Sequence, residues 1–143
     1  MLRAARELTA DMIRGVSEES KRAVRRIIFN SVRDGVAPRD AARLIRSIVG
    51  LTERQALQVD RNRAGLIEGG VNPRNVDRLT ARLSDRLLRD RASNIARTET
   101  MGAANRGQQA MWQAMQEAGV IGQGFRQRWM VTPDDRLCPR CAP

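Results

Sequence analysis

"VDRLTARLSDRLLRDRASNIARTETMGAANRG", residues 76 to 107, decides the fold. Its apolar side chains at Val76, Leu79, Leu83, Leu87, Leu88 and Ile95 hold a helical period, and no proline intervenes from Val76 to about Ala118. The spacing predicts one long helix, roughly 65 Å at about 1.5 Å per residue if unbroken. Gly102 and Gly107 are the positions where it is expected to bend.

Arg97, Thr98 and Glu99 sit together in this helix. Arg97 and Glu99 are two positions apart, about 200° around the axis, and therefore face opposite ways. Glu99 shares its face with Ile95, Ala96, Gly102 and Ala103, all apolar or small. A carboxylate on such a face needs a partner from another element, because a buried unpaired charge is costly. Small neighbours let that element approach closely. Glu99 is thus read as an internal clamp, with a segment over 125 to 131 or the turn after it as its expected partner. The alternative is a half-exposed glutamate at a helix edge. The triplet also invites comparison with the Arg, Ser/Thr and Glu elements of ADP-ribosyltransferases, but those lie on separate strands around a pocket, and here all three share one helix.

Upstream, residues 2 to 14 read as a short amphipathic helix carrying Leu2, Ala5, Leu8, Met12 and Ile13. A second helix is expected from about Glu18 to Asp34, capped by Ser17 and closed by Gly35, with Val24, Ile27, Ile28 and Val32 as its apolar positions. "APRDAARLIRSIVG" predicts a third, with Pro38 in its first turn and Ala41, Leu44, Ile45 and Ile48 as the buried stripe. Thr52 and Gln55 have capping-box spacing and open a fourth, which Gly69-Gly70 breaks. "VNPRNV" reads as a turn, with Asn75 capping the long helix.

Composition narrows the classes. The chain has 143 residues and 41% hydrophobic content, enough for a core, but only 3% aromatics and no Tyr. That balance argues against a β-sandwich and against base-stacking platforms. There is no His, which excludes Ser-His-Asp and Cys-His catalysis and any His-containing metal site built from these residues. No apolar run approaches the roughly 18 residues of a membrane span. The formal net charge is +10, and of the 26 basic residues all but Lys21 are Arg. Arg22, Arg25, Arg26 and Arg33 form one ridge and Arg82, Arg86 and Arg89 a second, with Asp85 and Asp90 offsetting part of the latter. Such ridges are either solvated helix faces or sequence-indifferent contacts to DNA phosphates; no groove-reading motif accompanies them.

After Gly119 the texture changes. "GQGFRQRWMVT" predicts a strand over about 125 to 131, "TPDDR" a turn, and Cys138 and Cys141 a CxxC knuckle, the spacing of half a tetrahedral zinc site. Zinc is expected only if residues beyond Pro143 complete the ligand set. The fold class is accordingly mainly α, a helical domain with a long helix and a small C-terminal β element.

Three stretches in order, "GLTERQA", "RASNIARTETMGAANRGQQAMW" and "RWMVTPDDRLCPRC", resemble the phage Mu F-like minor head proteins, the head-morphogenesis proteins of tailed phages, over roughly residues 49 to 143. The family pattern falls on Arg97, Thr98, Glu99, Asn105, Trp112, Trp129, Asp135, Cys138 and Cys141. The helical periods mark an N-terminal helical region, 1 to 70, and the resemblance implies a Mu F-like core, 71 to 143. It implies a structural component of the virion, in the capsid interior or at the portal vertex and in the host cytoplasm during assembly. Its implied partners are the portal protein, the major capsid protein, or both, in multiple copies around the portal; nonspecific contact to double-stranded DNA is expected from the charge, and no membrane contact from the lack of a long apolar run. It brings no catalytic assignment, so the chain is expected not to be an enzyme. A reading from another class is a nonspecific DNA-binding accessory protein of a mobile element.

Overall fold

The computed structural model describes Ile13, residues 15 to 122, Gly124 and Arg126. The chain forms two compact units, Met1–Met111 and Trp112–Pro143.

In the first unit, α1 (Glu18–Arg33) starts where Ser17 accepts a hydrogen bond from the Ser20 backbone N–H at 3.2 Å, with Glu18 and Glu19 against the positive end of the helix dipole. It stops at Gly35, whose φ of 67° is left-handed and turns the chain so that the Val36 N–H reaches the Ser31 carbonyl at 2.8 Å. α2 (Pro38–Arg46) starts on a proline, whose missing N–H costs nothing in a first turn. α1 and α2 pack on each other. Val24 and Ile28 of α1 meet Ala41, Ala42 and Ile45 of α2, joined by Val49 and Ile13. Complete burial of an Ile such as Ile28 or Ile45 is worth about 1.5 to 3 kcal/mol.

α3 (Glu53–Glu68) opens with the capping box: the Gln55 N–H donates to Thr52 Oγ1 at 3.2 Å, and the Thr52 N–H donates to Gln55 Oε1 at 3.0 Å. α4 (Pro73–Glu117) follows after Gly70. Gln55 Nε2 donates to the Leu87 carbonyl at 3.5 Å, and Arg63 pairs with Asp77 at 2.7 Å. Positions rise along α3 as they fall along α4, so the two form an antiparallel helical hairpin. Farther along α4, Ala92, Ala96 and Ala103 complete the core of α1 and α2. They recur at spacings of four and seven, one face of the helix. No helix among the described residues is long and apolar enough to cross a membrane.

The second unit contains the last turns of α4 from Trp112. They end in a glycine cap: the Gly119 N–H donates to the Gln116 carbonyl at 3.0 Å and the Val120 N–H to the Met115 carbonyl at 2.9 Å.

The protein is mainly helical with one long helix, as the periodicity requires. Several details differ. α4 begins at Pro73, and the residue serving its first turn is Asn72, whose Oδ1 accepts from the Arg74 N–H at 3.0 Å; Asn75 lies inside the helix. Leu44 is 59% exposed, and Ala42 is buried beside Ala41 and Ile45 in its place. Val32, on α1, is also exposed. The backbone is helical at Gly102 and Gly107, the expected bend points. No strand occurs among the described residues. Apart from Ile13 and Arg126, the expected helix over 2 to 14 and strand over 125 to 131 lie outside them, as do Trp129, Asp135, Cys138 and Cys141.

Candidate functional site

The alanine stripe of α4 carries one charged residue. Glu99 is seven positions after Ala92, three after Ala96 and four before Ala103, and it is 7% exposed. Arg97 and Thr98 beside it are exposed. The opposed orientation of Arg97 and Glu99 therefore follows from helical geometry, as the sequence requires. The segment expected to receive the Glu99 carboxylate, 125 to 131, lies outside the described residues save Arg126.

Above Glu99 is an open groove of about 370 Å³. One wall is a single face of α4: Arg91, Asn94, Ile95 and Thr98, at spacings of three and four. Thr52 and Ile13 supply the rest. Arg91 is 8% exposed, and its guanidinium donates to the Gly50 carbonyl at 3.1 Å, bridging 41 positions of sequence. Burial pushes the Arg91 pKa below its usual value, but Arg remains charged in proteins. The buried cation thus fastens the turn before α3 to α4. The same turn is held by the Thr52–Gln55 capping box, whose glutamine also reaches α4 at the Leu87 carbonyl. Chemically this is a joint, in which charged and amide donors saturate backbone carbonyls where three segments meet.

A second depression lies on the other side of Thr98, lined by Asn94, Arg97, Met101, Gly102 and Asn105. It brings Arg97, Thr98 and Asn105 together on a solvent-facing surface. Trp112 is half-buried and belongs to the second unit.

The first arginine ridge is only partly available. Arg22 and Arg26 are exposed, with Arg22 Nε 3.4 Å from the Glu18 carbonyl, while Arg25 is half-buried. Arg33 makes a two-point contact with Asp34, at 2.7 and 3.0 Å. This side-chain hydrogen bonding raises the Arg33 pKa and lowers that of Asp34. Both side chains are about half exposed, so this pair is weak and salt-screened like the other surface pairs. Among the described residues, no group of three or more Cys, Asp and Glu side chains is placed to hold a metal ion.

Two sets of residues escaped the sequence reading. Arg91 could have been found as a cation one position before the stripe of small residues. Arg39, Arg43 and Arg46 recur at spacings of four and three on α2, a visible stripe, but what they face is set by the tertiary fold. No protein-family model, curated protein or solved structure matches this chain.

Proposed function

We propose that the chain is a minor structural protein of a tailed-phage head, placed at the portal vertex or capsid interior and serving head assembly or DNA packaging and delivery. One observation supports this reading most directly. Two of the stretches that carry the resemblance, "GLTERQA" and "RASNIARTET", are far apart in sequence and meet in one joint: Arg91 bonds Gly50, and Thr52 shares a groove with Asn94, Thr98 and Glu99. Residues of the motif thereby have an architectural task that needs no reaction. The small C-terminal β element and the CxxC knuckle belong to the same reading, with zinc bound only where residues beyond Pro143 supply the missing ligands.

The test is fractionation of assembled particles. The protein is expected to travel with portal and major capsid protein in a small fixed number of copies. Recovery only with cellular nucleic acid, with preference for particular sequences, would overturn the head reading. A second reading, a nonspecific DNA-binding accessory protein of a mobile element, is favoured by the exposed Arg82, Arg86, Arg89 and Arg97 along α4. It predicts sequence-indifferent binding in the cell and none of the particle association.

A further inference from the structure

Between α2 and α4, away from the Glu99 joint, lies a pocket of about 250 Å³ whose walls are arginine. Arg39, Arg43 and Arg46 come from α2, Arg89 and Ser93 from α4, and the floor is Ala42 and Ala92. The two alanines are 6% and 1% exposed. They keep the floor small, and the Arg39 and Arg43 side chains beside it are largely exposed.

Four cations here face two carboxylates. Asp40 lies 3.2 Å from Arg43 and 3.9 Å from Arg39, and Asp85 lies 2.9 Å from Arg46. Arg89 forms no ion pair among the described residues. The existing pairs are solvent-exposed, with Arg39 and Arg43 side chains 83% and 74% accessible. Such pairs are weak and salt-screened, so a stronger anion can displace them. Arginine forks match tetrahedral oxyanions by two-point hydrogen bonding, and the Ser93 hydroxyl adds a neutral donor.

We propose that this pocket is a phosphate site, filled by a backbone phosphate of duplex nucleic acid. The pocket alone would suit any small oxyanion; the surface that leads to it selects a polymer. Arg82, Arg86, Arg89, Ser93 and Arg97 are all exposed and fall within about 80° of one another around α4, a stripe about 22 Å long. A duplex carries one negative charge per about 1.7 Å of its axis, so a stripe of this length follows the backbone while the pocket fixes one phosphate. The proposal rests on the DNA-contact part of the reading above and adds the place where that contact is made.

The test uses the full chain and a short duplex of arbitrary sequence, titrated over a range of salt. Arg43→Gln with Arg89→Gln is compared with Arg54→Gln plus Arg61→Gln, which removes the same charge from exposed positions on α3. Melting curves verify that both variants fold. The pocket variant is expected to lose affinity equally for all sequences and to lower the log–log salt slope by about 1, beyond any change in the α3 variant. Arg89→Lys, which keeps the charge but not the fork, is expected to fall between parent and pocket variant. Equal losses in the two double variants would overturn the pocket while leaving DNA contact standing. A parent protein that binds no duplex would overturn both. Two further probes are poly-glutamate and inorganic phosphate at matched ionic strength; binding of either at the pocket as tightly as duplex would overturn the choice of nucleic acid.

Discussion

The two stretches of α4 in the first unit are held by different forces. From Leu88 to Ala103 the helix lies on the aliphatic core of α1 and α2, and its contact face is alanine with Glu99 set among them. From Pro73 to Leu87 it lies beside α3, and α3 buries no residue at all. Val76 is the one fully buried apolar side chain in that stretch, while Leu57, Ile67 and Leu79 remain 48%, 57% and 36% exposed. The hairpin is tied by a glutamine to a carbonyl and by one arginine–aspartate pair. The same helix thus has an end whose position is set by close packing and an end whose position is set by polar ties. Packing tolerates little change in volume, whereas exposed ion pairs contribute little free energy.

The largest effect is expected at Glu99. Removing one side of a buried charged interaction typically costs about 3 to 5 kcal/mol. Glu99→Ala should therefore lower the melting temperature strongly, while Glu117→Ala, at an exposed position, should stay within about 0.5 kcal/mol. Should the two melt alike, the carboxylate is no clamp. Next comes Ile28→Ala, which opens a cavity in the aliphatic core and should cost about 3 kcal/mol in chemical denaturation; a loss below 1 kcal/mol would mean that this core is loosely packed. Thr52→Ala removes the capping box and should cost about 1 kcal/mol. Hydrogen exchange should localise that loss to α3, and uniform acceleration across α1 would show that the hairpin and the core open together. Smallest is Arg63→Ala, which deletes the hairpin ion pair and should change stability by no more than about 0.5 kcal/mol. A larger change would place the hairpin among the well-determined parts of the fold.

Much of this was legible in the sequence because the signals were local. Ser17, the Thr52–Gln55 pair, Gly35 and Gly70 fix helix ends through hydrogen bonds within six residues. The direction of Glu99 was legible because a helix's own geometry places it with Ala96 and Ala103. The misreadings arose where a second element decides. Leu44 and Ala42 flank the Ala41–Ile45 row on opposite sides, so helical period alone permits either to be buried; the packing partners of α2 select the alanine. The cap of α4 falls one turn before Asn75: Asn72 and Asn75 are both good capping residues, and Pro73 settles the choice by taking the first helical position. The arginine pocket needed two stretches 43 or more positions apart to converge, which no window of sequence displays.

The bond from Arg91 to the Gly50 carbonyl also orders events in time. The caps form from near neighbours, as do the contact of α1 with α2 and the Arg63–Asp77 tie near the hairpin turn, and short-range closures are fast. The Arg91 bond closes a loop of 41 positions and cannot form until α3 and the first half of α4 exist. It is therefore expected to be made on the native side of the folding barrier. Substituting Arg91 with Met should speed unfolding while leaving the folding rate nearly unchanged, which makes this joint a latch on the lifetime of the folded state.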